Sequence, residues 1–153
     1  MQLTGHIHLT ELSNKRFFKH GPCYLLSVLS GSDFKKIVDE ILGAHDAIRY
    51  VVVASDRGKM LYNQVKEGKK PYTSEKETEV LSSDLSVIQT MHALYDNSLG
   101  RISCMLMIRE RLYQLVYYIE NLIFYVTCDR VIDSIKATEI KNKVESIIKK
   151  SVK

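Results

Sequence analysis

The stretch "IRYVVVASDRGKMLYNQ", Ile48 to Gln64, decides how the fold is read. Its first half, "YVVVA", is apolar on both alternating faces, which is what a central strand covered above and below requires. "SDRGK" follows, with Asp56 able to bond local backbone and Gly58 suited to a position of positive φ. That is the chemistry of a short hairpin loop closed by a glycine bulge. "MLYNQV" then returns as the partner strand.

The stretch also contains Gly-Lys, so a phosphate loop has to be tested. Such a loop needs G-x-x-x-x-G-K-[ST] after a strand and opening a helix. Counting back from Gly58 puts Val53 at the first glycine and Met60 at the hydroxyl position. Counting back from Gly68 puts Asn63 and Lys70 there. Both registers fail. Arg57, Lys59, Lys69 and Lys70 remain an anion-binding candidate on condition that their two loops lie close; otherwise they are solvated loop charges.

Outward from the hairpin the chain is punctuated regularly. Before it, "GSDFKKIVDEILGAHD" predicts a helix with Ser32 or Asp33 as N-cap, Phe34, Ile37, Val38 and Ile41 on one face, and Gly43 as the stop. After it, "KEGKKPYTS" is a polar loop whose Ser74 forms a capping box with Glu77. The helix that follows runs to about Tyr95. Leu81, Leu85, Ile88, His92 and Tyr95 make one stripe, while Val80, Val87, Met91 and Leu94 widen it, so that more than one side is expected to be buried.

"DNSLG" ends that helix, and "RISCMLMI", "LYQLVYY" and "LIFYVTC" predict three antiparallel strands. In the first of these, Ile102, Cys104, Leu106 and Ile108 share a face opposite Met105 and Met107. Asn121 is placed at the left-handed turn position before the last strand. A final helix spans about Val131 to Lys150, with Ile135, Ile140, Val144, Ile147 and Ile148 on its apolar side. The class is α+β, an α/β sandwich in the order α-β-β-α-β-β-β-α over residues 33–150, and residues 1–32, with "HIH" at His6–His8, form an N-terminal extension that is either partly ordered or an extra strand around Cys23 to Leu29.

The bulk properties narrow the function. At 153 residues the chain suits one domain with a real core. A net charge of +4 with interspersed signs lacks the basic face and stacking aromatics of a nucleic-acid module. No apolar run reaches the roughly 18 residues of a membrane span. "CYLLSVL" after "NKRFFKH" only faintly resembles a secretory core, so a cytoplasmic location is expected.

The three cysteines, Cys23, Cys104 and Cys128, are read as free thiols, with a Cys104–Cys128 disulfide open if the strands align. His6, His8, Glu11, His20 and Cys23 are ligand types without a second tight pair, so no metal site and no cofactor are expected. No G-x-S-x-G or H-E-x-x-H pattern and no cysteine clustered with histidine supports an enzyme. His92 is either a proton-responsive group at a helix interface or a histidine with its bond satisfied.

The element order, with "VVVASDRGKML" and "YDNSLGR", resembles the roadblock/longin group of profilin-like domains. It also resembles small proteins of ammonia-oxidising archaea that carry a roadblock-like domain. That resemblance implies a five-stranded antiparallel sheet with the long middle helix on one face and the terminal helices on the other. It implies a non-catalytic dimeric regulatory module, a homodimer or a pair with a paralogue, and a small GTPase as the partner. Leu81, Leu85, Ile88, His92 and Tyr95 would then approach the two-fold axis, unless the stripe only covers its own sheet. The alternative function is a small-molecule or anion-binding sensor of PAS/GAF-like type, with a pocket between the sheet and "EGKKPY".

Overall fold

The computed structural model describes residues 29–130 and 133–152. The "HIH" motif, Cys23 and the candidate strand around it lie outside the described residues. The elements are α1 (Gly31–Ala44), β1 (Ile48–Ser55), β2 (Met60–Val65), α2 (Glu75–His92), a 3-10 turn (Ala93–Tyr95), α3 (Asp96–Leu99), β3 (Cys104–Ile108), β4 (Leu112–Ile119), β5 (Leu122–Asp129) and α4 (Ser134–Ser151). The five strands form one antiparallel sheet in the order β2-β1-β5-β4-β3. The expected α-β-β-α-β-β-β-α order is present, with α3 as one added helical turn.

Alternation along the strands divides the core in two. On one face, Val51, Val53, Leu115, Phe124 and Val126 pack beneath α1 and α4. On the other, Val52, Val116, Ile123 and Tyr125 meet Leu85 of α2. A tyrosine ties each face to its helix: Tyr117 Oη donates to the Lys141 carbonyl at 3.0 Å, and Tyr118 Oη to the Leu85 carbonyl at 2.9 Å. Both phenols therefore bury their rings while keeping a partner for the hydroxyl.

The β1–β2 hairpin closes through main-chain bonds from Gly58 to Ser55 and from Ser55 to Lys59, each 2.9 Å. Its register shifts between Val53 and Ala54. Gly58 has φ 78°, and a Cβ there would stand 2.6 Å from Ser83 Cα. The glycine thus permits both the turn and the close seat of that turn against α2. Asp56 contributes through its backbone: its N–H donates to the Asn121 carbonyl at 2.9 Å, and its own carbonyl accepts from the Ser86 hydroxyl.

Several local expectations shift. The α1 cap is Ser30, whose N–H donates to Asp33 Oδ2 at 2.8 Å, so the cap falls before either candidate. Gly43 does not stop that helix, because it lacks positive φ; the chain leaves at an extended His45. There, Lys66 Nζ donates to the Leu42 and His45 carbonyls at 3.1 and 3.0 Å, satisfying groups that a helix end leaves open. "DNSL" continues as helix up to Gly100, at φ 79°. Glu120, not Asn121, takes the left-handed position, at φ 54°. Ile102 precedes the strand, so the alternation does not reach it, and it packs on the α2 side with Met105 and Met107. In α4, Ala137 joins Ile140, Val144 and Ile148 as the buried stripe, while Ile135 is exposed.

Candidate functional site

The capping box at Ser74 starts α2 as expected: the Glu77 N–H donates to Ser74 Oγ at 3.3 Å, and the Ser74 N–H donates back to the Glu77 carboxylate at 2.8 Å. From there the helix buries only Thr78, Ser82 and Leu85. Leu81 and Ile88 flank that line, half-buried against the sheet. Of the five residues expected near a two-fold axis, Leu81, Leu85 and Ile88 therefore turn their apolar surface to the chain's own sheet. His92 and Tyr95, in edge contact at 6.2 Å between ring centroids, run past it and are exposed.

The opposite side of α2 carries the uncovered apolar surface. Val80, Val87, Met91 and Leu94 are 54–79% exposed. At steps of seven, four and three they form one continuous stripe. A large apolar side chain gains about 1.5–3 kcal/mol on full burial, and these four forgo most of it in the single chain.

A second exposed feature is an open sheet edge. β3 pairs with β4 alone among the described strands, and its Leu106 and Ile108 are 40% and 59% exposed. An edge of this kind presents unpaired backbone donors and acceptors together with apolar side chains. Leu106 and Ile108 alternate with Met105 and Met107, which pack on the α2 side, so they belong to the face of the sheet away from α2.

The anion candidates do not come together. Arg57 and Lys59 lie in the β1–β2 turn, and Lys69 and Lys70 lie beyond the far end of β2. The six residues of β2 between them hold the pairs about 20 Å apart at the usual rise per residue. Lys69 is already engaged, its Nζ 2.8 Å from Asp129 Oδ2, while Arg49 Nη1 holds the other carboxylate oxygen at 2.5 Å. Burial pushes the Asp129 carboxyl up, but hydrogen bonds and charge from Lys69 and Arg49 outweigh it and hold the group below its ordinary value.

Cys104 and Cys128 are free thiols. They sit on β3 and β5 with β4 between them, which rules out the disulfide left open by the sequence. Burial pushes Cys104 up to about 11 and Cys128 up to about 12, so neither is an activated nucleophile. Among the described residues no His/Cys/Asp/Glu group is arranged to hold a metal ion, and no described helix is long and apolar enough to cross a membrane.

No family model matches the sequence, and no curated protein does. Solved structures do match in fold. The gliding protein MglB from Thermus thermophilus superposes with TM-score 0.65 at 13% identity, covering 81% of this chain and 93% of that one. An MglB described as having a tetrameric arrangement gives 0.62 at 14%, covering 80% and 95%. The roadblock/LC7 domain from Streptomyces avermitilis gives 0.58 at 9%, covering 75% and 91%. The fold is that of the roadblock/LC7 domains, within the profilin-like architecture that the order of elements implied. One 18-residue helix stands between the second strand and the turn region, where a PAS/GAF-like arrangement would place several short helices.

Proposed function

We propose that this chain is a non-catalytic interaction module that works as a dimer, homodimeric or with a paralogue, and that the paired surface regulates or scaffolds a small GTPase in the cytoplasm. The observation that carries the reading is the doubled apolar character of α2. One side is used by the chain's own sheet, and the other, at Val80, Val87, Met91 and Leu94, has no described cover. A second copy is the occupant this reading assigns, since the stripe of one copy can cover that of the other. Packing the two stripes across a two-fold axis would set the two α2 helices against each other. The GTPase partner rests on the roadblock resemblance and the MglB-like fold, and the contact with it is assigned to no residue.

Size-exclusion chromatography with light scattering tests the dimer. The expected mass is twice the 17.6 kDa of the chain, falling to one chain in Val87→Asp and Met91→Asp with unchanged circular dichroism. Leu85→Asp is unsuitable, because that side chain is 2% exposed against its own sheet. A strict monomer at high concentration would overturn the dimer. For the partner, the wild type and Val87→Asp would be compared in affinity capture with mass spectrometry. Recovery of a GTPase by both alike would separate partner binding from dimerisation.

A further inference from the structure

A cavity of about 770 Å³ opens between the sheet, the first half of α2, the loop after β2 and the β3–β4 turn. This lies within the range of small-molecule pockets. Its floor is polar where the rest of the sheet is apolar. The strand register sets Tyr50, Thr127 and Gln114 in one row across β1, β5 and β4, with Tyr125 beside them. These four residues are only 4–7% exposed.

Most of that row is mutually satisfied. Gln114 Nε2 donates to Tyr125 Oη, and Gln114 Oε1 accepts from Arg109 Nε, both at 2.5 Å. Thr127 differs: it lines the cavity and is 5% exposed, and its hydroxyl makes no hydrogen bond to a described residue. The hydroxyl keeps its contact with solvent and offers a donor and an acceptor to the cavity it lines.

The outer wall is held in place before any ligand arrives. Arg49, fixed by Asp129, donates through Nη2 to the Lys70 carbonyl at 3.0 Å and lies 4.5 Å from the centre of the Tyr72 ring. That pins the loop as a wall facing Val80 and Leu81. Around the mouth, Lys70, Lys76, Arg109 and Arg111 stand with Asp84 and Glu110, none of them in an ion pair among the described residues, and with Glu77, whose carboxylate is occupied by Ser74. The mouth thus carries four cations against three carboxylates over an apolar wall and a polar floor.

We infer that this cavity binds a small amphipathic organic anion. Its carboxylate or phosphate lies on Arg109 and Arg111, where a guanidinium fork matches either group. Its apolar body lies between Tyr72 and Leu81, and a polar atom reaches Thr127. The cavity shares Val80 with the outward stripe but not Val87 or Met91, so Val87→Asp breaks the proposed dimer without touching the cavity lining.

The test uses the full chain and the fluorescent anion 8-anilinonaphthalene-1-sulfonate, displaced by octanoate, octyl phosphate or neutral octanol. Saturable binding of one probe per chain is expected, with octanol at least tenfold weaker than the better acid, and the better acid identifies the headgroup. Arg109→Ala/Arg111→Ala should raise the dissociation constant about tenfold, the scale of one lost charge-assisted bond, and both side chains are exposed enough to be removed without unfolding the chain. Thr127→Met, which fills the floor, should abolish binding; if that variant does not fold, the double arginine variant decides alone. The inference is overturned if the probe does not saturate, if binding survives the arginine changes, or if Val87→Asp abolishes it.

Discussion

Replacing Gly58 by alanine should destabilise the protein through two separable effects. At φ 78° a residue with a Cβ pays about 1–2 kcal/mol for the left-handed conformation. The new Cβ would also stand 2.6 Å from Ser83 Cα and 2.9 Å from the Ser82 carbonyl oxygen. Carbon atoms pack at about 3.5–4.0 Å, so the hairpin and α2 must separate by about 1 Å. Overpacking of this kind costs about 1–3 kcal/mol, for a total of about 2–5 kcal/mol. Gly68 provides the control. Its φ is 75° and nothing lies within 4 Å of where a Cβ would stand, so Gly68→Ala should show the conformational part alone, about 1–2 kcal/mol. Urea unfolding followed by circular dichroism measures both. Equal losses at the two positions, or a loss at Gly58 below about 1 kcal/mol, would refute the claim that the turn is seated on α2.

Other consequences are as direct. Asp129→Asn should cost roughly 2 kcal/mol at neutral pH, between the ~0–1 of an exposed ion pair and the ~3–5 of a broken buried one. Because the native Asp129 carboxyl is held below its ordinary 3.8, its contribution is present above that value and is lost as pH falls through the native one. Acid titration of stability should therefore be shallower in the variant. Cys104 and Cys128, with thiols pushed up to about 11 and 12, should react slowly with a disulfide reagent at pH 8 in the native chain and rapidly in urea; fast native reaction of either would contradict their burial. Leu85→Ala should cost about 2–5 kcal/mol, whereas Val87→Ala in a monomeric background should stay within about 0.5 kcal/mol, as read by urea midpoints.

The layout of the sheet was legible because its signals are local. "YVVVA" had to be covered on both faces, "SDRGK" had to turn, and the Ser74–Glu77 capping box announced its helix within four residues. Details that depend on the folded surroundings were not legible. Gly43 looked like a helix stop, but Lys66, more than twenty residues away, supplies the termination by reaching the last carbonyls. Ile135 fits a helical stripe on paper, yet the described part of α4 turns Ala137 inward instead.

The candidate surface shows the same division. Amphipathicity announced two apolar sides of α2 but not which one its own sheet would take, since that depends on where the helix lands. Thr127 and Gln114 were visible as polar interruptions in apolar strands. Their meeting in one row follows from the β4–β5 register, which neither strand encodes alone.

The lopsided burial of α2 also sets a scale for cellular dosage. A helix held by three buried residues, half-buried Leu81 and Ile88, and hydrogen bonds from Tyr118 and Ser86 is the element expected to open first in an unpaired copy. Opening would add to an apolar surface already uncovered at Val87, Met91 and Leu94. If copies pair as proposed, the chain would be a target for proteases and chaperones below the pairing concentration and a protected species above it. Under that proposal, supply of a matching partner, rather than synthesis alone, would govern how much of it persists.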